Sequence, residues 1–228
     1  MWLSKSSVGR KVVMSVSGAA LVLFLLFHMS MNLVAIFSAK GYNMICEFLG
    51  ANWYALIATA GLAALVVVHF VYAIILTLQN RKARGGQGYA YTVKPKNVEW
   101  ASQNMFVLGV IVILGMALHL FNFWANMQLV EVLHMLGANV DASLAADGVH
   151  YIKETFACPV YVALYVIWLV ALWFHLTHGF WSALQTLGWA NQIWFNRWRV
   201  IGNVIVTIII LGFLAVVAVY AVCPCAGC

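Results

Sequence analysis

Histidine is the residue type in this chain with the most chemistry to offer. Seven are present: His28, His69, His119, His134, His150, His175 and His178. His28, His69, His119 and His175 fall in four different long apolar stretches, and His178 shares the last of these with His175. An ionisable side chain within an apolar segment is costly to keep there, so it marks a functional site. Neutral imidazole is also the commonest metal ligand among side chains. A single histidine of this kind serves equally well as a hydrogen-bonding group between helices. Four of them, recurring at similar depths in four successive stretches, point to ligation.

The stretches themselves are membrane spans. Of the 228 residues, 65% are apolar and 8% charged, against about 25% charged in a soluble domain. So few charges cannot coat a water-facing surface, which excludes a soluble enzyme, a disordered chain and a secreted disulfide scaffold. Five runs stand out, at roughly Lys11–Phe37, Trp53–Leu78, Met105–Met127, Phe156–Leu187 and Val200–Val222. Each exceeds the ~20 residues that a bilayer core requires. They are continuous rather than alternating over ~10 residues, so they are helices and not barrel strands. The expected fold is all-α: a single membrane domain of five transmembrane helices. Lys5, Arg10 and Lys11 before the first run resemble a signal peptide's basic region. The run exceeds the 7–15 apolar residues of such a leader, and it is read as a retained helix.

Charge fixes the expected orientation. Lys5, Arg10, Lys11, Arg81, Lys82, Arg84, Lys94, Lys96, Arg197 and Arg199 all fall on one side of the five-helix layout. Only Lys40 and Lys153 fall on the other, with Glu47, Glu131, Asp141, Asp147 and Glu154. The excess of basic residues on cytoplasmic loops then puts the N-terminus inside and the C-terminus outside. The net charge of +6 is topological rather than a nucleic-acid footprint. Arg81–Gln103, with Gly85, Gly86, Gly88 and Pro95, reads as a polar loop, and Leu129–Leu136 as a short interfacial helix.

On this layout the four histidines lie ~14–19 residues into their helices, or ~21–29 Å at 1.5 Å per residue. Alternating helix direction then places His28 and His119 toward the outer face and His69 and His175 toward the cytoplasmic face. Two pairs in two layers are what two stacked bis-imidazole haems require. Bis-histidine ligation leaves no open position, so such haems relay electrons only. The sequence contains no C-x-x-C-H for c-type attachment and no HExxH for zinc. A proton-coupled transporter is the competing class, since histidine chains also serve pumps, but the spans carry no Asp, Glu or Lys partner beyond their ends. Gly18, Gly61, Gly109, Gly115 and Gly179 are candidates for close approach of a macrocycle or of another helix. Asn32 and Asn122 share helix faces with His28 and His119, and are read as bonding a propionate or bridging helices.

Ser6-Ser7-Val8-Gly9-Arg10-Lys11, then Gly18, Phe27-His28 and Asn32-Leu33, resembles the opening of a known family. So do Val68-His69 with Tyr72, and Phe174-His175 running through Gly179 and Trp181-Ser182 to Leu187-Gly188-Trp189. The family is the cytochrome b membrane anchor of succinate:quinone oxidoreductases, in its single-chain, five-helix, two-haem form. The resemblance spans nearly the whole chain. It implies two b haems enclosed by the bundle, with axial ligands His28 and His119 outside and His69 and His175 inside. Depth alone leaves His178 as an alternative to His175. The family motif, with the ligand four residues before Gly179, favours His175.

The resemblance further implies a role in succinate dehydrogenase or fumarate reductase, with electrons passing between an iron–sulfur partner and membrane menaquinone. Dicarboxylate chemistry would lie on a flavoprotein partner, both partners docking on the basic cytoplasmic face. The implied setting is the bacterial inner membrane, and a dimer of complexes is an assembly the resemblance allows. An outer quinol site in the family uses an acidic residue between the first two spans. Glu47 is the acid there, a candidate proton acceptor. Some members carry a glutamate two residues before the fourth-helix ligand, as part of a proton route. Here that position is Trp173. A haem b anchor of another membrane dehydrogenase is the nearest alternative. Cys223, Cys225 and Cys228 have spacing that invites soft-metal binding, but the expected reading is a frayed tail.

Overall fold

The computed structural model describes residues 6–84 and 100–222, and among these it is all-helical. Lys5, Lys94, Lys96, the glycines and proline of 85–99, and the three C-terminal cysteines lie outside the described residues. The long helices are α1 (Ser7–Phe37), α3 (Trp53–Arg84), α5 (Met105–His119), α8 (Pro159–Thr186) and α9 (Trp194–Val222). Between them lie short helices: α2 (Ala39–Phe48), α4 (Trp100–Gln103), α6 (Gln128–Met135) and α7 (Gly148–Phe156). Five helices are long and apolar enough to cross a membrane, α5 counting together with the π-helical turn Leu120–Trp124 that continues it.

The spans differ from the sequence reading chiefly at their ends, where local caps decide. The Ser6 hydroxyl accepts from Gly9 N at 2.9 Å, so α1 begins before the basic pair Arg10-Lys11. The second span runs past Leu78 to Arg84, and the Arg81 guanidinium lies over the Phe106 ring at 5.4 Å. The fourth span starts at Pro159, in the first turn where its missing N–H costs nothing, and Phe156 belongs to α7 instead. The fifth starts at Trp194, where Asn191 Oδ1 accepts from the backbone N–H groups of Ile193 and Trp194. The interfacial helix lies at Gln128–Met135, close to where it was expected.

In lipid, apolar contact with a neighbouring helix gains little over contact with acyl chains. Association therefore depends on close packing, which small residues permit. The core follows this rule where α9 meets α1 and α8. A Cβ on Gly202 would come within 2.5 Å of Phe180, and one on Gly212 would overlap the Met29 side chain. Val206, Ile209 and Tyr220 are fully buried there, and the Tyr220 hydroxyl donates to Ala35 O at 2.7 Å. Trp173 Nε1 donates to Thr207 Oγ1 at 3.0 Å and so ties α8 to α9.

The principal packing partners are α1 with α3, α8 and α9, and α8 with α1, α5 and α9. Helix α3 packs chiefly on α1, and α5 chiefly on α8. At the far end from the N-terminus, α2 and α7 close the bundle. Asn43 Nδ2 donates to Asp147 at 2.8 Å, and Asn43 Oδ1 accepts from Val149 N at 3.1 Å. Asp147 caps α7 by accepting from His150 N. Helix α6 is pinned to the turn between α2 and α3: Gln128 donates to Gly50 O and Glu131 accepts from Ala51 N at 2.6 Å.

Candidate functional site

The four span histidines meet as two pairs. At the capped end, the His28 and His119 ring centres lie 5.8 Å apart with planes 83° apart. At the basic end, His69 and His175 lie 6.5 Å apart with planes 68° apart. Each pair joins helices that are not principal packing partners, α1 with α5 and α3 with α8. The imidazoles therefore reach across the bundle.

The capped-end pair sits in an aromatic box. Phe24 stacks on His28, and Phe213 lies 5.7 Å from it. Phe123, Trp168 and Tyr165 surround His119. Trp168 is admitted by Gly115, where any Cβ would overlap the indole, and it donates to Val112 O at 3.0 Å. Asn32 Nδ2 donates to His28 O at 2.8 Å, lies 3.5 Å from His28 Nε2, and its Oδ1 accepts from Tyr42 at 3.0 Å. Asn122 is buried and donates to the Tyr165 hydroxyl at 3.3 Å, the helix-bridging role. The π-helical turn that follows His119 carries Asn122 and has no signature in the sequence.

At the basic end, His69 Nδ1 lies 3.0 Å from Ser17 Oγ, and the ring edge rests against Gly18. His175 Nδ1 is buried without a hydrogen-bond partner among the described residues, and a Cβ built on Gly109 would stand 3.9 Å from its ring. His178 packs edge-on against Trp181 at 5.1 Å, while the ring opposite His69 is that of His175. With helix ends now defined, His69 lies sixteen residues after Trp53 and His175 sixteen after Pro159, at equal depth. His178 competes on a count back from the span ends only where the second span is taken to stop at Leu78; that span runs on to Arg84, fifteen residues past His69, against eleven from His175 and eight from His178 to Thr186.

The remaining expectations divide. Gly18, Gly109, Gly115 and Gly179 each face a neighbouring side chain, but nothing lies within 4 Å of a Cβ built on Gly61, so that glycine makes no close approach. His134 is exposed on α6, and His150 pairs with Glu154 at 3.7 Å on α7. Glu47 is exposed on α2, beside a shallow groove of about 380 Å³ lined by Lys40, Asn43, Met44 and Asp147. Sequence reasoning gave no role to Glu131, which holds the α2–α3 turn, or to Tyr42 and Cys46 beneath α7. Burial pushes the Tyr42 hydroxyl up and the Cys46 thiol to about 11.

Two imidazole pairs can each hold one metal ion between them. With metal–nitrogen bonds of about 2 Å and ring centres about 1 Å beyond, the ring centres stand roughly 6 Å apart. The observed 5.8 and 6.5 Å bracket that separation. Among the described residues no group of three or more His, Cys, Asp or Glu converges, so the donor sets are pairs and not the three or four ligands of a zinc site. No protein-family model, curated protein or solved structure matches the chain.

Proposed function

We propose that this chain is the two-haem cytochrome b membrane anchor of a succinate:quinone oxidoreductase, a succinate dehydrogenase or fumarate reductase. The observation that carries the reading is the meeting of four span histidines as two stacked pairs, each across the bundle. His28 and His119 would hold one haem b and His69 and His175 the other. A haem held by such a histidine pair would supply a one-electron relay. The chain's own residues hold the imidazoles in place and exclude water through the aromatic box.

The proposed direction places the basic end in the cytoplasm of a bacterium, at its inner membrane. Arg81 and Lys82 there offer cations to an iron–sulfur partner, which a flavoprotein partner would join. At the opposite face menaquinol would give up protons with its electrons, and Glu47 is the exposed carboxylate proposed to accept one. The two-layer order then lets electrons cross the membrane between the quinol and the iron–sulfur partner.

A reduced-minus-oxidised spectrum of the purified protein, with a haem-to-chain ratio, tests the cofactor part. Two b haems per chain are expected, and none would overturn it. Co-purification from the native membrane tests the partners. Two soluble subunits carrying covalent or tightly bound flavin and iron–sulfur centres are expected, and a different dehydrogenase in their place would reassign the complex.

A further inference from the structure

We propose that Ser17 is the positioning residue of His69, fixing its imidazole as the Nδ1–H form with the lone pair left on Nε2. The inference deepens the two-haem reading and rests on it for its redox part. Ser17 lies on α1, is 2% exposed, and makes two polar contacts. Its hydroxyl lies 3.0 Å from Met14 O and 3.0 Å from His69 Nδ1. A carbonyl only accepts, so both contacts are hydrogen bonds together only when the single hydroxyl hydrogen goes to Met14 O and His69 Nδ1 donates to the serine oxygen. A neutral imidazole that donates from Nδ1 has its lone pair on Nε2, the form a metal ligand needs.

The neighbouring residue leaves room for this contact. A Cβ on Gly18 would stand 3.2 Å from His69 Cε1, so the ring would have to give by a few tenths of an ångström. Glycine at 18 and serine at 17 together form a seat on α1 for a histidine carried by α3. The opposite histidine has no such seat among the described residues, where His175 Nδ1 is buried with no hydrogen-bond partner. The basic-end pair is therefore asymmetric: His69 is anchored and oriented, and His175 is not. A hydrogen bond accepted from the distal ring nitrogen raises ligand basicity, and this favours the oxidised metal.

Two measurements on the full-length protein in detergent test the assignment. In the haem-free chain with ¹⁵N-labelled histidine, the signal missing from His69→Ala should report the Nδ1–H form, and Ser17→Ala should shift it toward a mixture. An Nε2–H form in the unsubstituted chain overturns the proposal. In the haem-loaded chain, Ser17→Ala should raise the midpoint potential of the haem that His69→Ala loses, with the other haem unmoved. Ser17→Thr, which keeps the hydroxyl, should restore the original value. If Ser17→Ala binds this haem too weakly to titrate, its loss with retention in Ser17→Thr supports the proposal. Equal loss in both variants, or an unmoved potential in Ser17→Ala, overturns it. A chain that binds no haem but shows the Nδ1–H form would sink the cytochrome reading and leave the role of Ser17 standing.

Discussion

Removing an imidazole from either pair leaves its partner with half of the axial donors that a bis-histidine iron needs. On the proposed two-haem reading, His28→Ala, His69→Ala, His119→Ala and His175→Ala are each expected to lose one haem. His134→Ala and His150→Ala, exposed or paired at the surface, should keep both. Haem quantitation per chain checks the set. Glu47→Gln removes the proposed proton acceptor while leaving the histidines untouched. Quinol oxidation by the assembled complex should slow about 10²-fold or more with haem content unchanged, in the range of a lost general base; unchanged turnover would leave Glu47 as a loop carboxylate. Cys46 gives a pH prediction. The thiolate is the reactive form, and burial raises this thiol to about 11. Its alkylation in the folded protein should be slow at neutral pH and climb about tenfold per pH unit until it levels near 11. A rate already saturated at pH 8 would contradict the burial of Cys46 under α7. Residue type and spacing made the pair His28–His119 legible, and a pair of His69 with a fourth-span histidine; the choice of His175 over His178 came from the family resemblance. Ser17, Glu131 and Tyr42 were not legible, because their roles come from partners 52, 80 and 10 residues away in the chain.

Helix packing is where the glycines separate. Gly115→Ala forces a methyl group into the Trp168 indole and pushes α5 from α8 beside His119. Overpacking of this kind costs about 1–3 kcal/mol. The variant should melt earlier and lose the capped-end haem first. Gly61→Ala meets nothing within 4 Å, so it should leave both haems in place and thermal stability within a few tenths of a kcal/mol or improved. Equal effects from the two substitutions would show that the α5–α8 contact does not set the site. The five spans could be read because a bilayer demands long apolar runs. Helices α2 and α7 could not, since each is only about three turns long and is held by its partner through Asn43, Asp147 and Val149. The π-helical turn after His119 was equally hidden, because Leu120–Trp124 continue the same apolar run with Asn122 as its one interruption. Span ends moved wherever a cap, at Ser6, Asn191 or Pro159, outweighed hydropathy.

At the scale of the molecule, the two histidine pairs connect the first span to the third and the second to the fourth. The connections interleave along the chain like links, with His69 between His28 and His119, and His119 between His69 and His175. No contiguous half of the polypeptide owns a complete pair. A chain severed between residues 84 and 100 yields one piece with His28 and His69 and another with His119 and His175. Each piece holds one imidazole for either level. Expressed singly, neither should retain haem, whereas co-expressed they should recover both haems together. During synthesis the same interleaving sets an order: the capped-end pair becomes complete once the third span has emerged, and the basic-end pair must wait for the fourth.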